Sequence, residues 1–112
     1  MTKTTSWNLF LDDLRIPPEM HQPSLENPAF WTLAQSSQEA MDLVREKGMP
    51  AFMSLDHDLG GDDKSMVFLN WLAYEYWNGE DNIPLYVVHS ANPVGAENIE
   101  SFMLSWVRSM EL

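Results

Sequence analysis

Cysteine is missing altogether, and basic residues are scarce: 6 Lys and Arg stand against 17 Asp and Glu in 112 residues, a formal charge of −11. Without Cys there is no disulfide framework, no thiolate nucleophile and no zinc knuckle. The shortage of basic residues, with no Lys/Arg run, argues against an extended nucleic-acid partner, whose affinity comes from neutralised phosphates. It argues equally against docking on an anionic membrane. Long hydrophobic runs are lacking too. No stretch approaches 18 uninterrupted apolar residues and the first eight residues hold no apolar targeting core, which leads to the expectation of a cytoplasmic protein. What is present is enough for one packed domain over 1–112: 45% of residues are apolar, including five Trp and five Phe.

Short apolar runs alternate with helical patterns. Residues 7–11 read as a buried strand ending in Asp12-Asp13. Residues 14–30 hold Pro17, Pro18, Pro23 and Pro28 and read as a long loop of the kind that serves a site. A second strand is expected at 30–33. Ser36 with Glu39 three residues on matches a capping box opening a helix that runs to Lys47, before Gly48 and Pro50. Residues 51–55 read as a third strand, followed by Asp56, His57, Asp58, Gly60, Gly61, Asp62 and Asp63. Asp62 or Asp63 is expected to cap a helix running to about Asn78, closed by Gly79. Residues 85–88 read as a fourth strand ending in His89 and Ser90, and a last helix is expected over about 96–110. This order implies right-handed crossovers and a mainly parallel sheet, with ligands bound beyond the C-terminal strand ends.

Those ends carry the chemistry. Alternation turns Asp56 and Asp58 to one side of an extended segment and His57 to the other. Gathering Asp12, Asp13, Asp56 and Asp58 crowds like charges that no basic residue within 55–63 offsets. A divalent cation is the economical remedy, and oxygen ligands suit Mg²⁺ first, with Mn²⁺ or Ca²⁺ as alternatives. An EF-hand starting at Asp56 is rejected, because Val67 stands where the bidentate Glu belongs and a strand precedes it. A helical HD-type phosphohydrolase does not fit the strand context, and a D-x-D phosphatase would be unusually small. His89, with His57, is a candidate acid or base near neutral pH. Arg15, Ser90, Asn92 and the amides of the turn at 92–95 are candidates for holding phosphate. The Trp residues read mainly as core.

The acidic pair at Asp12-Asp13, Asp56 at the third strand end and Ser90-Ala91 at the fourth resemble the receiver domains of response regulators. By that resemblance Asp12, Asp13 and Asp56 surround Mg²⁺ and Ser90 touches a phosphoryl group. Two parts of a receiver are missing: the fifth strand with its Lys, and the helix after the first strand. The motifs at 11–18, 54–60 and 89–95 are more similar to a divergent branch, the cyclic-phosphate processing receiver-like family of bacteria and their phages. The resemblance implies an α/β, three-layer, flavodoxin/CheY-like fold with a mainly parallel four-stranded sheet, reduced relative to a full receiver. It also implies a metal-assisted phosphoesterase acting on a cyclic phosphate of a small nucleotide or RNA end. The alternatives are a non-catalytic acidic protein that masks a protein partner or sequesters a nucleotide, and a phospho-accepting receiver domain.

Overall fold

The computed structural model describes residues 7–17 and 30–110. His21 and the prolines at 18, 23 and 28 lie outside them. Among the described residues the chain runs β1 (Asn8–Leu11), β2 (Thr32–Ala34), α1 (Ser37–Lys47), β3 (Phe52–Leu55), α2 (Ser65–Trp71) with a π-helical turn at Leu72–Tyr76, β4 (Leu85–Val88) and α3 (Pro93–Ser109). The four strands form one parallel sheet in the order β2-β1-β3-β4. That order is the flavodoxin/CheY-like one without a fifth strand.

Topology dictates where the helices go. From β2 the chain crosses β1 to reach β3, then continues the same way to β4. Two right-handed crossovers in one direction put α1 and α2 on the same face. Leu9, Leu11, Met53 and Leu55 point to that face and are fully buried against Ala40, Val44, Phe68, Leu69 and Leu72. Ile99 and Met103 bring α3 into the same core, and Trp106 packs edge-on against Trp77. Two of the three expected layers are therefore present among the described residues. The opposite sheet face carries Asn8, Phe10, Phe52, Ser54, Leu85 and Val87, of which Leu85 is 73% exposed.

Local signals explain the element ends. Ser36 caps α1 by accepting from the Glu39 amide, while the Glu39 carboxylate reaches back to the amide of Gln35, one residue earlier than an ideal capping box. The expected cap of α2 by Asp62 or Asp63 does not form: Lys64 occupies the cap position with no side-chain bond. Gly60 (φ +90°) and Gly61 (φ +56°) turn the chain so that Asp58 bridges Lys64, and Asp63 is delivered to the start of α1 instead. There its carboxylate accepts from the Ser37 amide (2.8 Å) and hydroxyl (2.6 Å). The second helix also ends earlier than expected. It widens into the π-helical turn, where the Trp77 amide bonds the Leu72 carbonyl, and Trp77 is already extended. In contrast α3 begins early, at Pro93, because Asn92 caps it by accepting from the Gly95 amide (3.1 Å) and proline suits the first helical position.

Candidate metal and phosphate site

Strand register assembles the site. Leu11 pairs with Leu55, and Leu55 with Val88, so the next residues, Asp12, Asp56 and His89, stand side by side past the sheet edge. The ladder extends one step to hold them. The Asp12 amide bonds the Ala34 carbonyl, that of Asp56 bonds Leu11, and that of His89 bonds Leu55, all at 2.9–3.0 Å. Neighbouring parallel strands lie about 4.8 Å apart, and Asp12, Asp56 and His89 each offer a ligand atom within 4.8 Å of the others.

Asp12 is almost wholly buried. One carboxylate oxygen accepts from the amides of Leu14 (2.8 Å) and Arg15 (2.9 Å), and the other meets His89 Nε2 at 2.9 Å. Burial is the largest single influence and pushes its pKa up, but the two amide bonds and His89 together outweigh it and hold the carboxyl below its ordinary value. An ionised Asp12 only accepts, so Nε2 carries a proton in this arrangement, while Nδ1 lies 2.7 Å from Ser54 Oγ, a hydroxyl that can donate or accept. The imidazole also lies flat on the Phe10 ring, centroids 4.7 Å apart and 14° from parallel.

Arg15 spans the mouth of the site. Its guanidinium donates to the His89 carbonyl (2.9 Å) and approaches the second Asp12 oxygen (3.9 Å). An open cleft of about 490 Å³ lies beside it, lined by Asp13, Arg15, Asp56, Asp58, Ser90 and Asn92 among others. Gly60 closes one side: a Cβ there would stand 3.0 Å from the Asp13 carboxylate, in a backbone conformation that side chains rarely adopt.

Asp58 lines the cleft yet is fully engaged. His57 Nδ1 and Lys64 Nζ share one oxygen and Asn92 Nδ2 takes the other, all at 3.1 Å. The Asn92 bond, then Lys64, lowers its pKa to about 2. The neutralising charge that the acidic stretch lacks is thus Lys64, one residue past it. Asn92 is divided between Asp58 and the cap of α3, and its amide donates to Ser90 Oγ (3.1 Å). His57 sits apart from the cleft, buried against the first turn of α3, where a Cβ on Gly95 would lie 2.4 Å from its ring.

A family model described as the cyclic-phosphate processing receiver domain matches residues 7–105. The chain belongs to that family. No curated protein and no solved structure matches it. Within this receiver-like domain, acidic residues end β1 and β3 and an imidazole ends β4. Two carboxylate oxygens and an imidazole nitrogen within 4.8 Å of one another form a donor set that could hold a divalent cation, and imidazole shifts the preference from Mg²⁺ and Ca²⁺ toward Mn²⁺ or Zn²⁺. Ser54 and Phe10, which hold His89, escaped sequence reasoning. The available signal was a lone hydroxyl inside the apolar run 51–55.

Proposed function

We propose that this receiver-like domain is a metal-assisted phosphoesterase that opens a cyclic phosphate on a small nucleotide or an RNA end. The observation carrying this reading is the convergence of Asp12, Asp56 and His89 beside a cleft that also presents Arg15 and Ser90. Asp12, Asp56 and His89 would hold the ion, which supplies Lewis acidity toward phosphoryl oxygens and water. Arg15 offers the cleft a guanidinium for phosphate oxygens, the charge that a receiver's Lys would bring. The Ser90 hydroxyl, which accepts from Asn92, still has its proton to donate. Water adds to phosphorus, one ring P–O bond breaks, and a phosphomonoester and a free hydroxyl remain. His89 cannot ligate the ion and exchange a proton with substrate through the same nitrogen, and the ligand role is the one its position favours. An acidic surface selects compact ligands carrying few phosphates over long RNA.

The test is incubation of the full chain and Mn²⁺ or Mg²⁺ with 2′,3′-cyclic nucleotides, cyclic dinucleotides and RNA ending in a cyclic phosphate. Ring-opened monoester is expected, with none from Asp12→Asn or Asp56→Asn. Turnover surviving in both variants would sink the reading. One observation favours a second reading, binding without turnover: His57 is buried, and both ring nitrogens of His89 are engaged. Stoichiometric retention of an unchanged cyclic nucleotide would identify that case. A phospho-accepting receiver is the weakest reading, since no Lys follows His89 in the sequence, and a stable phosphoryl group on Asp56 after exposure to acetyl phosphate would revive it.

A further inference from the structure

We propose that Ser54 is a positioning residue for His89: its hydroxyl bonds Nδ1 in either protonation pattern and so fixes the ring orientation that turns Nε2 toward Asp12, as a donor to that carboxylate or as a bare ligand. Ser54 sits in the middle of β3, opposite Phe10 of β1 and Val87 of β4, and is 5% exposed. Its Oγ lies 2.7 Å from His89 Nδ1, while Nε2 lies 2.9 Å from Asp12. Phe10 stacks on the ring and fixes its plane, but a stacked ring can still turn over within that plane, exchanging Nδ1 for carbon. The bond to Ser54 selects one face of that choice.

A hydroxyl is suited to the task because it both donates and accepts. With no cation present, a neutral ring donates its Nε2 proton in a hydrogen bond to the Asp12 carboxylate and Nδ1 accepts from Ser54. With a cation between Asp12, Asp56 and His89, Nε2 must be bare, so the ring proton belongs on Nδ1 and Ser54 accepts it. Metal-ligating histidines usually donate their other ring N–H to such an outer partner, and removing the partner commonly weakens metal binding by about 10–100-fold. The burial of Ser54 leaves little room for water to replace it. The cation-bound half of this inference rests on the reading of the site as a metal centre; the cation-free half does not.

Long-range proton–nitrogen NMR of the full chain reads the protonation of each ring nitrogen directly, with and without Zn²⁺, which is diamagnetic. Measured at a pH where the ring is neutral, the wild type is expected to show His89 protonated at Nε2, changing to Nδ1 when Zn²⁺ is added. Ser54→Ala, and Ser54→Cys as a variant that fills the space with a poorer donor, should show mixed protonation without Zn²⁺ and bind it at least about tenfold more weakly. Ser54→Thr should restore both the pattern and the affinity. A cation-free pattern in Ser54→Ala and Ser54→Cys identical to the wild type overturns the role of Ser54. Failure of the wild type to take up any Zn²⁺ or Mn²⁺ overturns the metal-centre reading and the cation-bound half with it. The cation-free comparison then still decides whether Ser54 fixes the ring.

Discussion

Asp12 and Asp58 are both kept ionised, by different means. Asp12 is buried and relies on two backbone amides and His89, whereas Asp58 is half exposed and relies on Asn92 and Lys64. A carboxylate whose pKa is lower in the folded chain than in the unfolded one adds stability above its ordinary value, and that stability is lost as pH falls through the folded value. For Asp58 the window runs from its ordinary 3.8 down to about 2. Melting temperature followed by circular dichroism across that window should fall less steeply for Asp58→Asn than for the wild type, and equal slopes would contradict the assignment. Gly95 makes a second prediction at this scale. Any Cβ there collides with His57, so Gly95→Ala should lose about 1–3 kcal/mol through overpacking despite the better helix propensity of alanine. Urea denaturation checks this, and adding His57→Ala should recover part of the loss because the colliding ring is gone.

Elements differ in how much of them the sequence discloses. The four strands stand close to where the apolar runs put them, and the cap at Ser36 follows from residues three apart. Convergence of Asp12, Asp56 and His89 follows from strand order together with register, since each is the first residue past a pairing. What is hidden depends on partners distant in sequence. Nothing near Asp63 reveals that it ends at the start of α1, 26 residues back, and nothing in 72–76 marks a π-helical turn. The spacing of Asp56 and Asp58 suggests a shared role, yet the turn at Gly60 and Gly61 draws Asp58 toward Lys64 and Asn92. Removing the long-range cap is informative: Asp63→Ala should cost roughly 1–2 kcal/mol in urea denaturation. Asp63→Asn, which keeps an acceptor for the Ser37 amide, should cost less.

At the scale of the molecule, surplus negative charge and a site of converging carboxylates act together. The acidic excess repels itself, and a cation bound only by the folded chain stabilises that chain by mass action. Micromolar to millimolar Mn²⁺ should raise the melting temperature beyond the effect of NaCl at matched ionic strength. The difference should vanish in Asp56→Asn. An equal response of wild type and variant would assign the effect to general screening. No helix among the described residues is long and apolar enough to cross a membrane.

The hydrogen bond between Asp12 and His89 joins residues 77 positions apart, and every strand pairing beneath it is parallel. Parallel pairings wait for long stretches of chain to be organised first, which slows folding relative to a helical protein of the same length. A chain that has joined β1 to β3 but has not yet docked β4 holds two adjacent carboxylates and no imidazole. The site is therefore complete only once β4 has docked, and during refolding the proposed uptake of Mn²⁺ should return no earlier than the full sheet does.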